Sequence, residues 1–200
     1  MCNFFGVRAP GCGAGAAGSS RTPDGRPELG QGVLTTPRLR LRPVTLDDVP
    51  ALFEAMRDPR VMAYWSTAPH ASPAETAAFV AKMCHGYADG TGRDDYAVDH
   101  DGVVIGKAGY WRASELGFLF AASAWGQGFA HEALHALLDH GFGARGFTEV
   151  HADVDPENLR CLRLLTRLGF RVMRRVPRTV CVGGVWHDSL DLTLTPEWRP

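Results

Sequence analysis

The sequence predicts an α/β domain built on a mainly antiparallel sheet, and three patterns point to it. The first is alternation: RLRLR at 38–42, EVHADV at 149–154, and Leu190, Leu192 and Leu194 set against Ser189, Asp191 and Thr193 repeat every second residue, as a half-buried strand does. The second is helical spacing, with Val49, Leu52, Phe53 and Met56 on one face and Ala130, Leu134, Leu137, Leu138 and Gly141 on another. The third is a pair of turn dipeptides, Asp101-Gly102 and Gly183-Gly184, which join neighbouring strands tightly and therefore antiparallel.

Taken in order from Val33, the strand around Leu39 and Leu41 is followed by Thr45 and Asp48, the two ends of a capping box, which open the first helix. Ser72-Pro73-Ala74-Glu75 starts a second helix with proline at its first position and Phe79, Val80, Met83 and Tyr87 as its apolar stripe. DYAVDHDGVVIGKAGYW reads as a hairpin, and ELGFLF, Glu115 to Phe120, as a third strand. A helix through Leu134 then stops at GFGARG. After the strand at 149–154, a helix from about Pro156 to Leu168 buries Cys161, Leu164, Leu165 and Leu168. Its Arg160, Arg163 and Arg167 occupy a separate face, read as solvated ahead of functional. Two strands about Gly183-Gly184 complete the order β-α-α-β-β-β-α-β-α-β-β.

Composition excludes several classes. With 21 Lys and Arg against 22 Asp and Glu, the formal charge of −1 draws the molecule as a whole toward neither nucleic acid nor an anionic membrane. No apolar run approaches the roughly 20 residues of a membrane-spanning helix. Five cysteines, at 2, 12, 84, 161 and 181, form no CxxC and no regular spacing, so neither a disulfide frame nor a zinc site is expected, and a cytoplasmic setting is the simplest. His131 and His135 stand four apart without an HExxH pattern or a third ligand, so no metal is expected. Residues 1–32 are rich in Gly, Ala, Ser and Pro and are read as a disordered leader preceding a domain at 33–200. The folded pattern begins so abruptly at Val33 that a valine start codon, with the leader outside the native protein, is an alternative that intact mass would decide.

Trp125-Gly126-Gln127-Gly128-Phe129-Ala130-His131-Glu132-Ala133 places two glycines directly before a helix. A helix N-terminus leaves backbone N–H groups unpaired and carries about half a positive charge, which suits a phosphate. The stretch matches neither the P-loop nor the dinucleotide fingerprint, and on spacing alone a cradle and a plain turn stand level.

With the strand before it and DPENLRCLRLLTRLGF behind it, this stretch resembles the GCN5-related N-acetyltransferase (GNAT) superfamily over about Leu34 to Arg199. The family's Arg/Gln-x-x-Gly-x-Gly/Ala falls on Trp125 to Ala130, and its Asn-x-x-Ser/Ala with a closing Leu-Gly-Phe on Asn158 to Phe170. TPRLRLRPVTLDD, ELGFLF and WHDSLDL with a final EWR are similar to the ribosomal-protein-alanine N-acetyltransferase (RimJ/RimL-like) branch. Two departures stand out: Trp125 replaces Arg or Gln, and Cys161 replaces the usual serine.

The resemblance implies a splayed strand pair, Glu115 to Phe120 beside Glu149 to Val154, that admits the pantetheine arm of acetyl-CoA. It implies backbone hydrogen bonds from Leu119 and Phe120, and a pyrophosphate held by the amides of the loop and first helical turn, Trp125, Gly126, Gln127, Gly128, Phe129, Ala130 and His131. Asn158 is implied on the pantetheine side. The activity implied is acetyl transfer from acetyl-CoA, a co-substrate, to a primary amine such as a peptide N-terminus or a small amine, by direct attack.

Chemistry narrows the remaining roles. A protonated amine must lose its proton before attack, and Glu115, opening the strand beside the thioester, is the first candidate base. His151 and His187 are alternatives, and a strand-end carboxylate tied to a neighbour is the structural reading of Glu115. The backbone N–H of Phe120 is the candidate donor to the oxyanion. Cys161 is placed either to protonate the leaving thiolate or simply to pack. Tyr64, Trp65 and Trp111 are read equally as an acceptor cleft and as core. A catalytically inactive acyl-CoA sensor and a protein-interaction module of the same fold are the competing functions. The acceptor and the oligomeric state, a homodimer included, are not legible.

Overall fold

The computed structural model describes residues 32–88, 94–112 and 114–200, with the backbone alone at 85–88. The predicted leader at 1–31 and the side chain of Tyr87 therefore lie outside the described residues.

The entry segment forms β1 (Leu34–Thr35) and β2 (Arg40–Pro43), with Leu39 and Leu41 buried and Arg40 exposed, as the alternation requires. The Thr45 box is present: the Asp48 carboxylate accepts the Thr45 N–H at 2.8 Å, and a 3-10 turn at Leu46–Asp48 leads into α1 (Val49–Met56). Arg42 of β2 donates to the same carboxylate at 2.6 and 2.9 Å. Burial pushes the Asp48 carboxyl up, but the hydrogen bonds from Arg42 and Thr45 outweigh it and hold the group below its ordinary value. The next helix, α2 (Pro59–Met62), is capped by Asp58, and α3 (Pro73–Ala88) begins at the predicted Ser72-Pro73 signal.

The hairpin forms β3 (Asp94–His100) and β4 (Val103–Arg112), turning at Asp101 and Gly102 with φ of 52° and 80°. β5 (Glu115–Phe120) has the predicted limits, and α4 (Phe129–Gly143) follows the glycine loop. β6 (Val150–Val154) precedes α5 (Leu159–Arg167), and β7 (Arg171–Val182) pairs with β8 (Val185–Leu194). α5 starts three residues later than its apolar pattern suggests. Two side chains decide this: the Asp155 carboxylate takes the Glu157 N–H at 2.8 Å, and Asn158 caps the helix by accepting the Cys161 N–H at 3.2 Å.

The eight strands make one sheet in the order β1-β2-β3-β4-β5-β6-β8-β7, antiparallel at every junction except β5–β6. α4 and α5 cover one face, where Tyr96, Tyr110, Phe118, Leu134, Leu137 and Leu165 meet in the main core. α1, α2 and α3 cover the other face over β3, β4 and β5, where Leu52, Val80, Met83 and Ala97 form one cluster and Met56, Trp65, Trp111 and Leu119 another. β3, β4 and β5 are therefore buried on both sides; β5 reads as an apolar run and β4 nearly so, while β3 also buries Asp94 and Asp95, and β6 keeps the alternation of a half-covered strand. Inside β3–β4, the buried Lys107 ammonium meets the buried Asp95 carboxylate at 2.6 Å.

Candidate active site

The site begins where the sheet loses its ladder. β5 and β6 share one register pair, Glu115 opposite His151, fastened by the His151 N–H on the Ser114 carbonyl at 2.8 Å. Farther along, the two strands part. The direction of each β5 peptide follows from its neighbours: the Ala121 N–H bonds the Ile105 carbonyl of β4 at 2.9 Å, while the Ser114 carbonyl points to β6. With a period of two, the polar groups of Leu119 face β4, and those of Phe118 and Phe120 face the gap. The Phe120 carbonyl is already taken by Trp125 Nε1 at 3.0 Å. Leu119 thus differs from expectation: its peptide belongs to the β4 ladder and its side chain is buried in the cluster with Trp65 and Trp111. Phe118, one residue earlier, turns its peptide to the gap instead.

The gap runs upward into the glycine loop. A 3-10 turn at Ala122–Ala124 leads through extended Trp125 to Gly126 and Gly128, both left-handed at φ of 76° and 81°. Gly128 is the N-cap of α4 and offers no side chain to its amides. The first N–H of the helix to find an internal acceptor is that of Glu132, on the Gly128 carbonyl at 3.1 Å, so the amides of Phe129, Ala130 and His131 have no acceptor within the helix. Gln127 is turned away from these amides, its Nε2 donating to the Ser123 carbonyl at 2.8 Å. The loop is also held from outside the motif. Arg38 donates to the Gln127 carbonyl at 3.0 Å and to Glu132 at 2.7 Å through Nε, and Thr36 donates to Glu132 at 2.6 Å.

Gap and loop open into one cleft of about 1850 Å³ whose walls include Phe118, Phe120, Gly128, Asn158 and Cys161. Its rim carries Arg160, Arg163 and Arg167, the arginine row of α5. These side chains are solvated as expected, but they also border the cleft. Arg160 stacks over the Trp125 ring at 5.1 Å, and none of the three has a carboxylate at ion-pair distance among the described residues. A concave site with open helix-terminal amides and surplus cations suits a phosphorylated ligand.

Residues 38–171 match the family model described as acetyltransferase (GNAT) domain, about two thirds of the chain. The chain belongs to the GNAT acetyltransferase family. It is 30% identical over 145 residues to the uncharacterized N-acetyltransferase p20 of Bacillus licheniformis, a match spanning 69% of this chain and 82% of that one. A GNAT-family acetyltransferase structure from Bacillus anthracis superposes with a TM-score of 0.72 at 24% identity, covering 83% of this chain and 99% of the other. Mycobacterium smegmatis RimJ in complex with CoA-disulfide gives 0.70 at 23%, covering 80% and 82%. The chain is accordingly an enzyme of the N-acetyltransferase class, and the mixed sheet with its flanking helices is the GNAT fold.

Within this acetyltransferase the remaining candidates separate. Cys161 is buried on the cleft wall, its own N–H capped by Asn158, which is also buried. Glu115 is ion-paired with Arg112 at 2.9 Å, and Arg112 lies on the Trp111 ring at 4.2 Å. Its register partner His151 contacts Thr193 Oγ1 at 3.1 Å and Glu149 at 3.2 Å, and His187 faces the buried Asp155 at 3.2 Å. Tyr64 borders the cleft, but Trp65 and Trp111 do not: at 2% and 8% exposure they hold α1 and α2 onto the sheet. Sequence reasoning missed Thr36, Arg38 and Glu132. Only the arginines of RLRLR signalled them, and nothing local says that one reaches α4, 94 residues away.

Proposed function

We propose that the chain transfers the acetyl group of acetyl-CoA to a primary amine, a peptide N-terminus or a small amine, by direct attack in a ternary complex. The observation that carries this reading is the gap between β5 and β6 leading straight to open amides at the start of α4. A pantetheine arm has the amide groups to replace the missing rungs, using the peptide groups of Phe118 and the N–H of Phe120. The amides from Gly126 to His131 hold the pyrophosphate, and Arg160, Arg163 and Arg167 add the charge that a nucleotide with several phosphates calls for. Asn158 borders the pantetheine side.

In the reaction, the amine lone pair attacks the thioester carbonyl carbon at the Glu115 end of β5; the Phe120 N–H, engaged by the pantetheine arm, is not the oxyanion donor that the sequence leads one to expect. Glu115, kept beside a fixed cation by Arg112, takes the amine proton directly or through water. The carbon–sulfur bond then breaks, and the thiolate, a good leaving group with a pKa of about 8.5, departs toward the Cys161 thiol, which donates to it. Arg60 of α2 and Tyr64, just past its end, are on the cleft wall and stand on the acceptor side.

Acetyl-CoA at 100 times its dissociation constant is expected to stabilise the protein by about 2.7 kcal/mol, which raises Tm by roughly 5–11 °C for a domain of this size. Mass spectrometry of Ser-, Ala- and Met-starting peptides and small amines then identifies the acceptor. No thermal shift with acetyl-CoA, together with no acetylated product from the panel, would sink the reading.

A further inference from the structure

The family's first motif position, where Arg or Gln is usual, is Trp125 here, and its indole is committed to the Phe120 carbonyl. We infer that the work of shaping the cradle has passed to Arg38, a positioning residue for the cosubstrate pyrophosphate that lies 87 positions before Trp125 and outside both motifs. This rests on the acetyl-CoA reading above and adds a residue to it.

The geometry is that of a brace. The Arg38 fork places Nε at 2.7 Å and Nη2 at 2.6 Å from Glu132 Oε2, while Nη1 donates to the Gln127 carbonyl at 3.0 Å. One guanidinium therefore ties the middle of the glycine loop to the first turn of α4. The plane is supported by the Phe129 ring, 4.6 Å from Cζ, and the nearest atom to the place a Gly128 Cβ would occupy is Arg38 Nη2 at 3.4 Å. Glu132 is itself gripped by the entry segment: Oε1 receives the Arg38 N–H at 2.9 Å and the Thr36 hydroxyl at 2.6 Å.

Two consequences follow for an anion at the amides. With its oxygen engaged by Arg38, the Gln127 carbonyl is fixed, and with it the peptide plane that carries the Gly128 N–H. The left-handed turn is thus set before ligand arrives, which removes an ordering cost from binding. The second concerns charge. Glu132 sits in the first turn of α4, where its charge suits the helix dipole but repels a phosphate. Burial pushes its carboxyl up, but the hydrogen bonds from Thr36 and Arg38 outweigh this and keep it ionised, so a counter-ion at that spot is required throughout the physiological range. Arg38 is that counter-ion, and its planar fork serves Glu132 and the loop carbonyl at once from fixed, separate donors, a geometry that the single ammonium of a lysine does not reproduce.

The test measures dissociation constants of the full chain for CoA, 3′-dephospho-CoA and pantetheine. In the wild type, CoA binding is expected; its absence overturns the acetyl-CoA reading and this inference with it. Given binding, Arg38→Ala is expected to raise Kd for CoA and dephospho-CoA alike by about tenfold, the scale of one lost charged hydrogen bond, and to leave pantetheine unchanged. Arg38→Lys, which retains the charge without the fork, is expected to recover less than half of that loss on a logarithmic scale. Loss for CoA alone would assign Arg38 to the 3′-phosphate, equal loss for all three ligands would make it a general structural residue, and full recovery by lysine would reduce it to a point charge. Each of these results overturns the positioning role.

Discussion

Replacing Gly128 with alanine separates the strain of the cradle from its function. Gly128 has φ of +81°, where a side chain costs about 1–2 kcal/mol. The added Cβ would meet nothing closer than Arg38 Nη2 at 3.4 Å, an ordinary contact, so the cost is conformational and not steric. At roughly 2–4 °C per kcal/mol for a chain of this length, Tm is expected to fall by about 2–8 °C. The strain is relieved if the loop turns to negative φ, but that swings the amides at the start of α4 away from a bound phosphate. Losing one or two charge-assisted hydrogen bonds then raises the CoA Kd by at least about tenfold. Gly184 supplies the control, since it has φ of +83° and open space about its Cβ, in the β7–β8 turn. Gly184→Ala is expected to match the Tm loss while leaving CoA affinity untouched. Thermal unfolding and calorimetric titration of both variants check the argument, and equal CoA affinity in the two would refute the cradle.

Four other outcomes follow from the same structure. Glu115→Gln is expected to lower kcat about 100-fold near neutral pH, with the deficit shrinking as pH rises past the acceptor's pKa, because a neutral amine needs no base; a constant ratio across pH would remove Glu115 from the reaction. Cys161→Ala is expected to lower kcat roughly tenfold while Cys161→Ser, which keeps a donor, stays near wild type, and equal rates for all three would leave only a packing role. Lys107→Ala strands a buried Asp95 and is expected to cost about 3–5 kcal/mol in urea unfolding, whereas Lys107→Met with Asp95→Leu is expected to restore most of it. For Asp48, whose folded carboxyl lies below its ordinary value, the stability it contributes is fully present above the unfolded pKa of about 3.9 and is lost as pH falls through the folded one. The stability gap between wild type and Asp48→Asn should therefore be constant from about pH 5 to 7 and narrow below pH 4.

What was legible in the chain was what a few adjacent residues decide. Asp101-Gly102 and Gly183-Gly184 located both hairpins because their backbone angles are local, and Thr45 with Asp48 marked a helix start for the same reason. β1 and α2, with two and four residues, are too short to show a period. The start of α5 was obscured because an apolar stripe does not reveal that Asp155 and Asn158 will hold the preceding backbone out of the helix. At the site, spacing alone left the glycine loop level between a cradle and a plain turn, and only the family resemblance singled out the loop and Asn158 as a binding place. The side of β5 to which Leu119 turns its peptide could not be read, since that is set by pairing with β4. Trp65 and Trp111 were ambiguous in sequence because an aromatic suits a cleft and a core equally, and only the packing of α1 and α2 makes them core. Arg38 was invisible as a site residue because its partners are 89 and 94 residues away.

The single rung between β5 and β6 makes the sheet two half-sheets, β1 to β5 and β6-β8-β7, held together by α4, α5 and one register pair. Each half contributes a raw inner margin, a strand border of the kind that proteins usually keep at the periphery and shield. A ligand that spans the margin with amides of its own acts as a removable ninth strand, so the loaded molecule is mechanically continuous and the empty one is not. Amide exchange at Phe118 and Phe120 should slow on loading while that at Leu119 hardly changes, and resistance to proteolysis should rise with it. If the gap takes acetyl-CoA as proposed, the durability of the enzyme is coupled to the supply of its own substrate.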